Sequence, residues 1–103
     1  MSHIILNADF EDVKRLFAGE MLEGEGGGVV LVEAFGFVLP VVVAPSPGGV
    51  IVRVENGDGH LDQDMVQMVI ASVASRIAEA LAAKPVRATL SRRILRHYGL
   101  LDA

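Results

Sequence analysis

Between Glu33 and Arg53 the chain runs for nineteen residues, 34–52, without a single charge. A run of that length approaches a membrane span. Yet Gly36, Pro40, Pro45, Pro47, Gly48 and Gly49 all fall inside it. In lipid, the backbone groups such residues release need partners that a lone span does not supply. Two buried strands joined at Pro45-Ser46-Pro47-Gly48-Gly49, the clearest turn signal in the chain, satisfy the same stretch in water. The window therefore predicts a β-rich core and no membrane association. The opening residues, Met1-Ser2-His3-Ile4-Ile5-Leu6-Asn7, lack the basic segment and apolar length of a secretory signal. A cytoplasmic location is the expectation.

The flanks of the window supply the other elements. Residues 3–6 read as a short strand. Asn7 or Asp9 offers a cap for a helix over 10–22, because Phe10, Val13, Phe17 and Met21 fall within an arc of about 80° at helical spacing. A glycine-rich connection, 24–28, follows. Three β-rich runs come next, over 29–35, 37–44 and 50–55. The first two are apolar on both faces apart from Glu33. Pro40 lacks an N–H, so its strand is expected at an edge or bent there. Asn56-Gly57-Asp58-Gly59 turns the chain into a long helix over 62–83. Its core stripe of Val66, Val69, Ile70, Val73, Ile77, Ala80 and Leu81 spans about 120°.

On the opposite side of that helix Ala71, Ser75, Ala78 and Ala82 form a seam of small residues. Such a seam lets another backbone approach, although alanine is also the best exposed helix former. Pro85 stops the helix. Thr89 can cap a last helix over 90–98, and Gly99 fits the left-handed position beyond it. A Schellman ending there would pack Leu100 on Leu95. The assembled expectation is one α+β domain over 1–103. It consists of a small, mainly antiparallel sheet of three to four strands packed by two helices, with a short basic helix at the C-terminus, in the order βα-βββ-αα.

Helices on one face of such a sheet leave its other face carrying valine and phenylalanine side chains. Monomers seldom expose large apolar patches. A second copy of the chain is the expected cover, with Val41, Val43, Ala71, Ser75 and Ala78 as the self-association residues.

Catalytic chemistry is hard to find. The chain has no cysteine, which removes thiol catalysis, disulfides and the usual structural zinc sites. His3, His60 and His97 show no ligand spacing, and no metal or cofactor is expected. Glu23-Gly24-Glu25-Gly26-Gly27-Gly28 is no phosphate loop, since a helix precedes it and a strand follows, the reverse of the order anion binding needs. Asn56 and Asp58 suggest a calcium loop, but Val54 and Met65 would occupy its first and twelfth ligand positions. No residue is assigned a catalytic role.

Charge is divided unevenly. Residues 1–64 hold three bases against eleven acids, or −8, and residues 65–103 hold six bases against two acids, or +4. In the last helix Arg92, Arg93, Arg96 and His97 cover about 140° of the circumference, opposite Ile94 and Leu95. These cations complement the helix dipole, meet an acidic protein surface, or meet nucleic acid. Ile77-Ala78-Glu79-Ala80-Leu81, followed by Arg87-Ala88-Thr89-Leu90-Ser91-Arg92-Arg93-Ile94-Leu95, resembles a helix-turn-helix of the Fis type. The resemblance implies that Arg87, Thr89, Arg92, Arg93 and Arg96 face DNA, with the second helix in the major groove. The leading expectation is a non-enzymatic, homodimeric adaptor, chaperone-like protein or inhibitor that binds another protein. Arg87, Arg92, Arg93 and Arg96 are its candidate macromolecule contacts, and a DNA-binding regulator is the runner-up.

Overall fold

The computed structural model describes residues 2–55, 59 and 61–101. The turn expected at 56–59 lies, apart from Gly59, outside the described residues, as does His60. The elements are β1 (His3–Leu6), α1 (Phe10–Leu16), β2 (Met21–Gly24), β3 (Gly27–Ala34), β4 (Phe37–Ser46), β5 (Gly49–Val54), α2 (Gln63–Leu81), β6 (Pro85–Ala88) and α3 (Arg92–His97). All six strands belong to one antiparallel sheet, ordered β2-β3-β4-β5-β1-β6. The α+β class is as expected. The sheet of three to four strands is not, because two further strands occupy its edges.

The first of these is β2. The spacing of Phe10, Val13, Phe17 and Met21 suits a helix as far as 22, yet α1 ends at Leu16. Gly19 takes φ 85°, a conformation open to glycine at no steric cost. Beyond it the glycine-rich segment is a hairpin and not a connector. Met21 pairs with Val30 and Gly24 with Gly27, and Gly26 takes φ 78° in the two-residue turn. At Gly28 a Cβ would meet the end of the Met21 side chain, which would have to swing aside.

The second is β6, read from sequence as the link between two helices. It pairs with β1, Ile4 opposite Ala88 and Ile5 opposite Arg87. Thr89 extends the clasp: its N–H donates to the His3 carbonyl at 2.9 Å, and its hydroxyl accepts the His3 N–H at 2.9 Å. The cap of α3 therefore passes to Ser91, whose Oγ accepts the Ile94 N–H.

Pro40 stands in β4, a central strand. Its carbonyl accepts the Glu55 N–H at 3.0 Å, on the β5 side. In a strand the N–H and C=O of one residue point the same way, so the missing donor also faces β5, just where β5 ends. One ladder bond is lost and the strand continues.

The core lies on one side of the sheet. Ile4 and Leu6 of β1, Leu39, Val41 and Val43 of β4, and Val50 and Val52 of β5 alternate inward against Val66, Val69, Ile70, Val73 and Ile77 of α2. Val13 and Phe17 close one end of this layer, and Ile94, Leu95 and Leu100 another. Both longer helices are capped by acids, Asp9 on the Glu11 N–H and Asp62 on the Met65 N–H. At the end of α3, Leu100 N–H bonds the Leu95 carbonyl and Gly99 N–H that of Arg96, with Gly99 at φ 73°. This is the Schellman pattern, with Leu95 and Leu100 both buried.

Polar ties fasten β2 to the helical layer. Lys14 of α1 meets Glu23 at 2.7 Å. Arg76 of α2 grips Glu20 through both oxygens, and its guanidinium lies 4.6 Å from the centre of the Phe17 ring. The Arg76 hydrogen bonds hold the Glu20 carboxyl below its ordinary value. A carboxyl lowered on folding adds stability above its unfolded pKa and loses it as pH falls through the folded one. Glu20→Gln should therefore lower stability at neutral pH and flatten the acid limb of a pH series of urea melts.

Gly49 offers a sharper test. It sits at φ 149°, and a Cβ there would overlap the Leu6 carbonyl oxygen. Gly49→Ala should cost about 3 kcal/mol or more in urea unfolding, since backbone has to move.

Candidate protein-docking surface

Pleat parity decides which side chains each strand presents to solvent, since successive side chains point to opposite faces. With Val41 and Val43 turned to the helices, Val38, Pro40, Val42 and Ala44 turn the other way. Pairing extends that set across the sheet. One row runs Leu22, Val29, Val42, Arg53, His3, and the next runs Ala44, Ile51, Ile5, Arg87. Leu31 opposite Pro40 and Glu33 opposite Val38 complete the β3–β4 end.

The helices contact the sheet on its core side, and the chain measures 34 × 31 × 21 Å. That thickness suits two layers, sheet and helices. On the uncovered side Leu22, Leu31 and Val38 are 62%, 55% and 57% exposed, and Val29, Val42, Ala44 and Ile51 are half-buried. Leu22, Val29, Val42, Ala44 and Arg53 join the β2–β3 turn in lining a shallow depression of about 430 Å³. Charge is sparse here. Arg53 is ion-paired with Glu55 along its own strand, and Glu33 stands at the rim.

The residues expected from sequence to mediate self-association all make contacts within the chain, Ser75 and Ala78 remaining half-buried. Val41, Val43 and Ala71 are fully buried in the core. Ser75 Oγ donates to the Tyr98 carbonyl at 3.3 Å, and Ala78 lines a groove with Gly99, Leu100 and Leu101. The small-residue seam of α2 does receive another backbone, that of the chain's own C-terminal turn.

The four arginines are also separated. Arg92, Arg93 and Arg96 are exposed on α3, which packs on α2 in the helical layer. Arg87, opposite Ile5, belongs to the other face. None of the four forms an ion pair among the described residues. The segment that resembles a helix-turn-helix contains β6 where that motif has a tight turn.

Sequence reasoning missed Leu22, Leu31 and Val38. A signal for one of them, Leu31, existed: Glu33 is the one charge in its run, and Leu31 shares its parity. Leu22 carried none while it was assigned to a helix.

A second apolar feature caps the β3–β4 hairpin. Phe35 (φ 54°) and Gly36 (φ 79°) form its two-residue turn, both at positive φ as type I′ turns require. Asparagine, aspartate and glycine are the usual residues there. Phe35 is 43% exposed and shares a cleft of about 140 Å³ with Met68 and Tyr98.

Among the described residues no group of three or more His, Asp or Glu stands close enough to hold a metal, and no helix is long and apolar enough to cross a membrane. Comparison of the chain with protein-family models, curated proteins and solved structures finds no match.

Left-handed backbone costs most residues with a Cβ about 1–2 kcal/mol, and asparagine less, because its short polar side chain hydrogen-bonds locally. Phe35→Asn should therefore raise stability by about 1 kcal/mol in urea unfolding. A loss would mean that packing of the ring beside Met68 outweighs the strain.

Proposed function

We propose that this chain is a non-catalytic protein-binding protein that works by docking a polypeptide surface on the open face of its sheet. One observation carries the reading. Leu22, Leu31 and Val38 stand more than half exposed on a face whose half-buried neighbours are also apolar. Monomers keep such patches small, and larger ones mark interaction sites. The face suits macromolecular contact better than small-ligand capture, because its depression is shallow and ligand pockets bury most of their ligand. Apolar area there supplies affinity, and the uneven charge of the chain orients encounter. The cysteine-free composition accords with a reducing compartment, the cytoplasm.

Nucleic acid is the weaker reading. With β6 between α2 and α3, and Arg87 across the sheet from Arg92, Arg93 and Arg96, the arginines do not line one groove-sized surface. The net charge of −4 further opposes phosphate binding.

A photo-cross-linking residue at position 31, introduced in the cell of origin, should yield a discrete protein adduct. The same residue at Glu79, exposed on α2, should yield none. Equal yields from the two positions, or none from position 31, would remove the reading.

A further inference from the structure

The occupant of the open face can be argued from the edges of the sheet. Both edge strands discourage growth by strand addition. Each has four residues, β6 opens with Pro85 and carries Arg87, and β2 carries Glu23. Short length, proline and charge are the devices that blunt an edge. The face is different: it is broad and mainly apolar, and the one charge on its two central strands, Arg53, is ion-paired with Glu55. A footprint of 34 × 31 Å supplies on the order of the ~800 Å² per partner that stable interfaces bury.

Charge on the open side is arranged by edge. Glu25 lies in the turn between β2 and β3, and Arg87 lies on β6. These are opposite margins of the sheet. They also stand near one height along the strands. Gly27, two residues after Glu25, lies beside Ala44, and Ala44 begins the row that passes through Ile51 and Ile5 to Arg87. Both side chains are exposed and neither is ion-paired among the described residues.

We infer that the open face is covered by a second copy of this chain, sheet against sheet, about a two-fold axis running along the strands. The inference rests on the reading of this face as a protein-docking surface and names its occupant. An axis in that direction lays the β2 margin of each copy over the β6 margin of the other. Glu25 then meets the partner's Arg87 twice per dimer. The other face-to-face two-fold, across the strands, lays β6 on β6 and brings Arg87 toward its own copy. Like charges oppose it. A two-fold interface is self-complementary by construction, and an apolar centre with one acid and one base at opposite margins meets that condition.

Sedimentation equilibrium of the full chain provides the test, with circular dichroism melts to confirm folding. Wild type should run at twice the 11.0 kDa chain mass. Leu31→Asp, at a position 55% exposed and so harmless to the core, should run as a folded monomer. Glu25→Arg and Arg87→Glu should each weaken the dimer by about tenfold at low salt, and the double exchange should recover to within about threefold.

A folded wild-type monomer at about 100 μM, still yielding adducts to another protein from position 31, would overturn the second copy while leaving the docking face intact. A dimer indifferent to Leu31→Asp would place the contact elsewhere and overturn both readings. A dimer that depends on Leu31 but gains nothing from the double exchange would overturn the strand-parallel axis, and with it this proposal.

Discussion

Placing the helical layer on one side of a six-stranded antiparallel sheet makes pleat parity the governing constraint of this molecule. Each strand residue is committed by its parity to the core or to the open face. Val41 and Val42 differ little in chemistry, yet one is fully buried against α2 and the other faces outward. Register carries the assignment from strand to strand, because antiparallel partners lie on the same face. A slip of one residue would exchange core and surface along a whole strand. The tight turns prevent that slip. Gly26, Gly36 and Gly48 each hold a positive φ that fixes loop length and therefore pairing.

The clasp around β1 shows how distant parts of the chain answer to one another. β1 lies between β5 and β6, so the first described strand is closed on both sides by segments far along the sequence. Thr89 and His3 exchange backbone and hydroxyl hydrogen bonds, and Gln67 of α2 accepts the Ser91 N–H at 2.7 Å. These bonds set where α3 begins and carry its apolar side, Ile94 and Leu95, onto the core.

Local signals in the sequence were reliable wherever the deciding physics was local. The Asp9 cap, the Pro47-Gly48 turn, the α2 stripe from Val66 to Ile77 and the Gly99 ending all depend on residues close in sequence, and all appear in the structure. Ala80 of the expected stripe is exposed, however, and Ala71 is buried in its place. The two edge strands were not legible for the opposite reason. Met21–Gly24 has helical apolar spacing upstream and becomes a strand only because β3 folds back on it. Pro85–Ala88 is too short to announce a strand and opens on a proline, and its partner lies about eighty residues away. The candidate surface was half legible. That one sheet face would be apolar and uncovered followed from the two-sided runs, but which valines it held did not. The two-sided run allows Val41 and Val43 on it equally well, and only the register against β5, with Arg53 opposite Val42, shows the outward set to be the alternate one.

An exposed apolar face has to be kept from indiscriminate contact, and the charges of this chain bear on that requirement. Most acids near β2 are held on the helical side, Glu20 by Arg76 and Glu23 by Lys14. Their charge is thereby neutralised locally and withdrawn from the open face. On the open side Arg53 is paired with Glu55. The charges there with no ion pair among the described residues are marginal: Glu25 and Glu33 at the β2–β3 side, and Arg87 at the far edge. Rim charges contribute little affinity, but they penalise a wrong orientation by like-charge contact and hasten the right one. An apolar centre alone would accept a partner in many registers. The same centre framed by an acidic margin and a basic margin accepts few, and that selectivity separates an interface from a liability to aggregate.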